Sequence, residues 1–461
     1  MDVKELKANL EYKNKNVFEN ISEDELERSF AYAECYKMYL DNTKTEREAV
    51  KYSIVMAEKK GYTEYHFGDE LVVGGKYYYN NRGKMLILFK VGEESLEKGA
   101  YIVASHIDSP RVDLKQNPLY EDSGLGLFKT HYYGGIKKYQ WTAVPLALHG
   151  VMVKGNGDVV DICIGEDEED PVFYISDLLP HLAKDQMQKT MSQGITGEGL
   201  NIIVGSEPYR EEETDGAIRL NLLRILNEKY GIIEEDFISA ELTAVPALKA
   251  RDIGLDRSLI GGYGHDDRVC AYPSVTALLD STNTEKTVFV ILADKEETGS
   301  NGVTGMQCEV FTDILSELSL ALGANYRAVK ANSKCLSADV NAAFDPNFPE
   351  VLEKKNAAFV NCGVVLSKFT GSGGKGGTSD ATSEFTAYVR NMLNAAGVEW
   401  QMAELGRVDQ GGGGTVAKFI AEKNIDTLDV GVPVISMHAP YEAISKLDLY
   451  MTYKAFAAFM S

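Results

Sequence analysis

What this chain of 461 residues lacks narrows it first. No stretch approaches the roughly 20 uninterrupted apolar residues that a membrane helix needs. The opening MDVKELKANLEYKNKN carries no apolar signal core. A cytoplasmic protein with no membrane partner is therefore expected. Cysteine is sparse, and Cys35, Cys163, Cys270, Cys308, Cys335 and Cys362 are far apart with no CxxC pair. Buried, reduced thiols are the plain reading of such usage. Basic residues are the minority, 47 against 69 acidic, for a net charge of -22. A field of that sign repels phosphate backbones and anionic surfaces, so nucleic acid is not an expected partner. No internal repeat of fixed period is present.

What remains is an ordinary globular composition, 44% apolar and 25% charged. At about 150 residues per domain, the length suits about three domain-sized units and a large core without disulfides. Ser22 and Glu25 have capping-box spacing ahead of an amphipathic stretch over residues 26–60. Short strands are expected over 70–73, 84–91 and 100–105. Between 112 and 245 the pattern changes to many short β-like runs, among them 146–153, 159–164 and 201–204. Acidic linkers at 166–170 and 211–215 and one helix at 176–188 interrupt them. The turn density favours a barrel or sandwich inserted into the first unit. From Pro246 onward α/β alternation resumes, with strands expected at 287–292, 334–340, 359–366 and 432–436. Helices are expected at 275–280, 313–322, 383–396 and 415–422, and a short one at the C-terminus. The boundaries are thus 1–111 and 246–461 for a discontinuous α/β domain, and 112–245 for the insertion.

Several apolar runs of the α/β part end in metal-ligating residue types. AYIVAS runs into His106-Ile107-Asp108, TVFVIL into Asp294-Lys295-Glu296-Glu297, and VPVIS into Met437-His438. KCLSADV contains Asp339, and Asp266-Asp267 follows a glycine-rich turn. Taken singly, each is explained by a solvated loop. Together they fall where open α/β sheets build their sites, outside the carboxyl ends of strands. Two histidines and three carboxylates hold two divalent ions if one carboxylate bridges, and imidazole with carboxylate suits zinc, with manganese or cobalt as alternatives. Such ions stand about 3.5–4 Å apart and clamp an attacking oxygen and a substrate oxygen. Adjacent Glu296 and Glu297 cannot point the same way on extended backbone, so one can ligate while the other serves as general base. Asp108, two residues beyond His106, is placed to accept that ring's other N–H.

HIDSPR, GHDDR, DKEETGS, SADVNAAFDP and SMHAPYE, in this order and spacing, resemble the M18 family of metallo-aminopeptidases, bacterial in type. The resemblance spans His106 to Glu442. It implies a phosphorylase/hydrolase-like α/β zinc-peptidase fold, a mixed sheet flanked by helices, with an inserted β-rich dimerisation domain. It also implies that Asp266 bridges two Zn2+ ions per subunit, with His106 and Glu297 completing one site and Asp339 and His438 the other. Glu296 would be the general acid/base and Asp108 the orienting acid. His181, in the Pro180-His181-Leu182-Ala183 segment, would reach a neighbouring subunit's site within a tetrahedral homododecamer. Peptides would be the substrates.

Other segments are weaker. Thr370 to Thr378 has the glycine density of a phosphate loop, but Gly376 stands where Ser or Thr is needed and Phe369 where the first glycine belongs. A substrate loop is the sharper reading, with Lys375 meeting an acidic side chain or the peptide's carboxylate. Gly134-Gly135 and Trp141 match another family segment, but Val144-Pro145-Leu146-Ala147 replaces its usual charged run. Two other readings use the same site residues. One is a metal-dependent deacylase of the same fold, which would cleave N-acetylated substrates. The other is a non-catalytic metal-bound assembly or binding protein, against which Glu296, not needed to hold metal, argues.

Overall fold

The computed structural model describes residues 2–210 and 215–461. Of the expected acidic linker 211–215, all but Asp215 lies outside these residues. Nine strands form the main sheet. In spatial order they are Thr63–Glu64, Lys76–Asn81, Met85–Lys90, Val288–Ala293, Tyr101–His106, Lys334–Ser337, Asp426–Gly431, Val364–Ser367 and Trp400–Met402. The central four, beginning with Val288–Ala293 and ending with Asp426–Gly431, run parallel. Side chains of these strands and of the neighbouring Met85–Lys90 alternate between two apolar layers. Leu86, Leu88, Val103 and Val290 pack on one face and Ile87, Phe89, Ile102 and Ile291 on the other. Such two-sided burial explains why these strands read as unbroken apolar runs. Helices His265–Asp280 and Lys446–Met460 lie in the first layer, and Val310–Ala321 lies in the second.

The second sheet is built wholly from residues 111–246. Strand Glu241–Pro246 pairs with Arg111–Asp122 on one side and with Pro145–Val153 on the other. The remaining pairings run through Leu125–Tyr133, Ile202–Gly205 and Phe173–Tyr174. The ring therefore closes into an antiparallel barrel, with Val159–Ile164 added outside Pro145–Val153. Closure removes unpaired edges that would otherwise recruit other chains. Val112, Phe128, Trp141, Leu148 and Ile202 fill it.

Three expectations are corrected. The helical stretch 26–60 is two helices, Glu23–Asp41 and Glu46–Glu58. Thr45 starts the second with a complete capping box to Glu48, which outcompetes continuation. The strand expected at 70–73 is absent, and the Tyr-rich Lys76–Asn81 takes its place in a hairpin with Met85–Lys90. No helix spans 176–188: Pro180 supports only the short turn Pro180–Leu182, and Leu178, Leu179 and Leu182 remain at least half exposed. The insertion instead carries a helix at Ala217–Tyr230, flanked by Gly216 and Gly231 in left-handed conformation, with Leu222 and Leu226 packed on the barrel. Among the described residues no helix is long and apolar enough to cross a membrane.

Candidate metal centre

Three of the four parallel strands deliver ligand-type residues at or just past their carboxyl ends, where open α/β sheets build their sites, and His438 follows the short strand Pro433–Val434. His106 is the last residue of Tyr101–His106, Glu296 and Glu297 form a turn just past Val288–Ala293, and Asp339 follows Lys334–Ser337. Asp266 sits at the start of helix His265–Asp280 with non-helical backbone, and its bond to Asp267 is cis.

These residues converge on Asp266. Its Oδ1 lies 3.1 Å from His106 Nε2, and its Oδ2 lies 3.2 Å from His438 Nε2. Asp339 Oδ1 is 3.9 Å from the His106 ring, and Glu297 Oε1 is 3.5 Å from the His438 ring. These distances divide the cluster differently from the pairing implied by resemblance. His106 stands with Asp339 and His438 with Glu297, because Asp266 splits its two oxygens toward opposite ends of the cluster. Three donor sets gather here, His106 with Asp267 and Asp339, His106 with Glu296 and Glu297, and Asp266 with Glu297 and His438, the donor atoms of each within 4.8 Å of one another.

Both imidazoles are oriented by backbone. His106 Nδ1 lies 2.9 Å from the Asp108 carbonyl oxygen, and His438 Nδ1 lies 2.8 Å from that of Gly135. Donation to those carbonyls uses up Nδ1 and turns each Nε2 toward carboxylate oxygens. Asp108 does its orienting through its carbonyl, its carboxylate being farther from the ring at 3.4 Å. That carboxylate accepts from the backbone N–H groups of Glu296 and Glu297 at 3.1 and 3.2 Å and from the Tyr133 hydroxyl at 2.7 Å. It fixes the turn that carries the two glutamates.

The electrostatics are those of a site built for cations. Burial pushes the carboxyls of Glu297, Asp339 and Asp267 well above their usual range, and neighbouring carboxylates add to it. Burial raises Glu296 to about 7, with Asp108 and Asp266 contributing and His106 opposing. Burial works against charge on His438, but the Asp266 and Glu297 carboxylates outweigh it and raise the ring to about 10. Asp266 Oδ1, Asp267 Oδ1 and Glu297 Oε1 are buried without a well-aligned hydrogen-bond donor. Acceptor-only oxygens orphaned beside two imidazole Nε2 atoms fit divalent metal, and the nitrogen and oxygen donors suit zinc.

Residues outside the sequence-based set complete the site. Glu442 accepts from the N–H of His438 at 2.8 Å and of Asp266 at 3.2 Å, tying two ligand-type residues to one carboxylate. It lies within SMHAPYE, and Asp267 within GHDDR, so both were visible as neighbours but given no role. Gly134 has φ +73°, and a Cβ there would stand 3.1 Å from Glu297 Oε2. Two expected residues lie elsewhere. Lys375 is engaged within its own loop, 2.8 Å from Asp380 and 3.8 Å from the centre of the Phe369 ring. His181 is exposed on the inserted unit. The cluster opens into a cleft of about 480 Å³, walled by Val340, Leu405, Phe419 and Met437. A larger cavity of about 1020 Å³ shares Gly135, Leu405 and His438 with it.

A parallel-centred sheet with this cluster at its strand ends defines a metallopeptidase-type hydrolase. The model of the family described as "Aminopeptidase I zinc metalloprotease (M18)" matches residues 39–460. A curated relative, "Probable M18 family aminopeptidase 1" of Clostridium acetobutylicum, is 50% identical over 456 residues, covering 97% of this chain and 98% of that one. The crystal structure of the M18 aminopeptidase from Thermotoga maritima superposes with a TM-score of 0.93 at 44% identity, over 98% of this chain and all of that one. A dodecamer structure of the mature Saccharomyces cerevisiae enzyme shares the fold, with a TM-score of 0.77 at 24% identity over 93% of this chain and 96% of that one. The chain belongs to the M18 family of zinc aminopeptidases.

Proposed function

We propose that Asp266 would be shared between two zinc ions, with His106 and Asp339 as the residues that would complete one site and Glu297 and His438 the other. The observation that carries this is the division of Asp266, one oxygen toward each of two imidazoles whose Nδ1 atoms are held by carbonyls. When bound, such a pair polarises the peptide carbonyl and acidifies the attacking water. Glu296, buried beside the cluster with its Oε2 4.0 Å from His106 Nε2, takes the water's proton and returns it to the leaving amine. Asp108 holds the backbone of Glu296 and so fixes where that proton is received. The acidic cleft receives the free N-terminus of a peptide, and the larger cavity the residues beyond the cut bond.

His181 acts in trans, donating to the developing oxyanion in a partner subunit's site. Leu178, Leu179 and Leu182 lie around it with exposures of 50% or more, a surface suited to cover by a second copy. The inserted barrel is then the dimerisation domain of a tetrahedral dodecamer, the count taken from the yeast relative. All six cysteines are free, as fits a reducing cytosol, although Cys35 and Cys163 are exposed where buried thiols were expected. Lys375 contributes to substrate binding only if its contact with Asp380 opens.

Glu296→Gln tests the mechanism. Turnover falls by about 10²–10⁴-fold while zinc content stays at the wild-type level, since the variant removes the base and not a ligand. Near-normal turnover with metal retained would refute the assignment.

A further inference from the structure

Away from the metal centre, His149 and Cys163 are directly opposed residues on the paired strands Pro145–Val153 and Val159–Ile164. Side chains of directly opposed residues project from the same face of a sheet. Helix Glu46–Glu58 of the α/β part lies over that face and brings Glu48 to it, with Glu48 Oε1 2.7 Å from His149 Nδ1. The donor atoms of Glu48, His149 and Cys163 all lie within 4.8 Å of one another. The His149 ring is buried, whereas Cys163 is exposed, which gives an ion a way in.

We propose that Glu48, His149 and Cys163 form a separate binding site for a zinc-class ion, joining the inserted barrel to the α/β part. Thiolate, imidazole and carboxylate are zinc ligands, and a fourth position is left to solvent. Ligand atoms of a tetrahedral zinc ion stand about 3.3–3.8 Å apart, so closure asks only for small rotations of Glu48 and Cys163.

The surroundings are arranged for this. Glu166 Oε1 lies 3.0 Å from His149 Nε2, so the ring nitrogen facing away from Glu48 donates to a carboxylate. That partnership is the usual one for a metal-ligating histidine and fixes which nitrogen is presented. Lys44 and Lys249 each bind Glu166, at 2.6 and 2.7 Å, and keep it in its supporting place. Glu48 Oε2 meanwhile accepts the Thr45 N–H of the capping box, so Oε1 is free to ligate without loss of the helix cap. Binding releases one proton from His149 Nδ1 and one from the Cys163 thiol, leaving the Nε2–H on Glu166.

Cobalt(II) loading of the full chain reads the site directly, because none of the donor sets around Asp266 includes a thiol. Thiolate-to-cobalt charge-transfer absorption is expected in the wild type, retained in Cys35→Ser and lost in Cys163→Ser. Zinc analysis after gel filtration is expected to give one equivalent fewer in Cys163→Ser, with peptide hydrolysis unchanged. A second measurement needs no variant: zinc should slow alkylation of Cys163 but not of exposed Cys35, read by peptide mass spectrometry. Absence of the absorption in the wild type, its survival in Cys163→Ser, or equal alkylation with and without zinc overturns the proposal.

Discussion

Tyr133 reaches out of the barrel to give Asp108 a hydroxyl donor at 2.7 Å, so the insertion helps to hold the glutamate turn. Tyr133→Phe leaves a fully buried carboxylate with one donor fewer, at a cost of about 1–3 kcal/mol. The expected result is a lower urea midpoint together with reduced turnover, the latter because the Glu296 turn loosens; unchanged values for both would deny Asp108 its holding role. Gly134→Ala should reduce zinc retention on dialysis, since a side chain there is strained at positive φ and crowds Glu297. At this scale the sequence was readable wherever chemistry and strand ends coincide, as at His106, Asp339 and His438. Which imidazole stands beside which acid was not readable, because that depends on how one residue, Asp266, divides its oxygens. Nor was the Gly135 carbonyl that orients His438, a backbone contact between residues 303 apart in sequence.

Strands buried on both faces, such as Tyr101–His106 and Val288–Ala293, announce themselves as apolar runs because no solvent face interrupts them. Residues 176–188 were misread for the complementary reason. Their apolar side chains look like a helical stripe, but those around His181 point to solvent in the single chain, so no core selects the helix. Helix Ala217–Tyr230 was missed because its apolar side contacts a barrel that sequence spacing does not locate. Strand Arg251–Ile253 supports a test of its own. Asp252 meets Lys37 at 2.8 Å and the buried Lys446 at 2.9 Å. Although burial opposes charge on Asp252, these lysines hold its carboxyl below the usual value. A folded pKa below the unfolded one gives stability that is present above about pH 4 and lost as pH falls through the folded pKa. Asp252→Asn should therefore be destabilised by about 1–3 kcal/mol at neutral pH. Its deficit should shrink in acid, as read by melting temperature against pH; a deficit independent of pH would remove the ion pairs as its cause.

For the whole molecule, insertion and catalytic part are one device: Tyr133 and Gly135 of the insertion hold residues of the candidate metal centre of their own chain, and His181 on its outer surface is proposed to serve another. The insertion was legible from the change in patterning after Pro110, and as a barrel or sandwich, but the choice between the two was not, since closure depends on Glu241–Pro246 pairing on both sides. Trans action makes a specific forecast. His181→Phe should lose most turnover while light scattering gives an unchanged particle mass. Assemblies reconstituted from His181→Phe and Glu296→Gln subunits should regain part of it, because an intact Glu296 then meets an intact His181; no recovery in verified mixed particles would place His181 outside the site. The central claim, a two-zinc aminopeptidase centred on Asp266, is tested most directly by titrating zinc into the chelated Cys163→Ser protein while following cleavage of unblocked and N-acetylated aminoacyl anilides. The account predicts that cleavage of unblocked substrates is restored in full as the second equivalent binds, with acetylated substrates left intact. Full activity without metal, or equal cleavage of acetylated substrates, would contradict it.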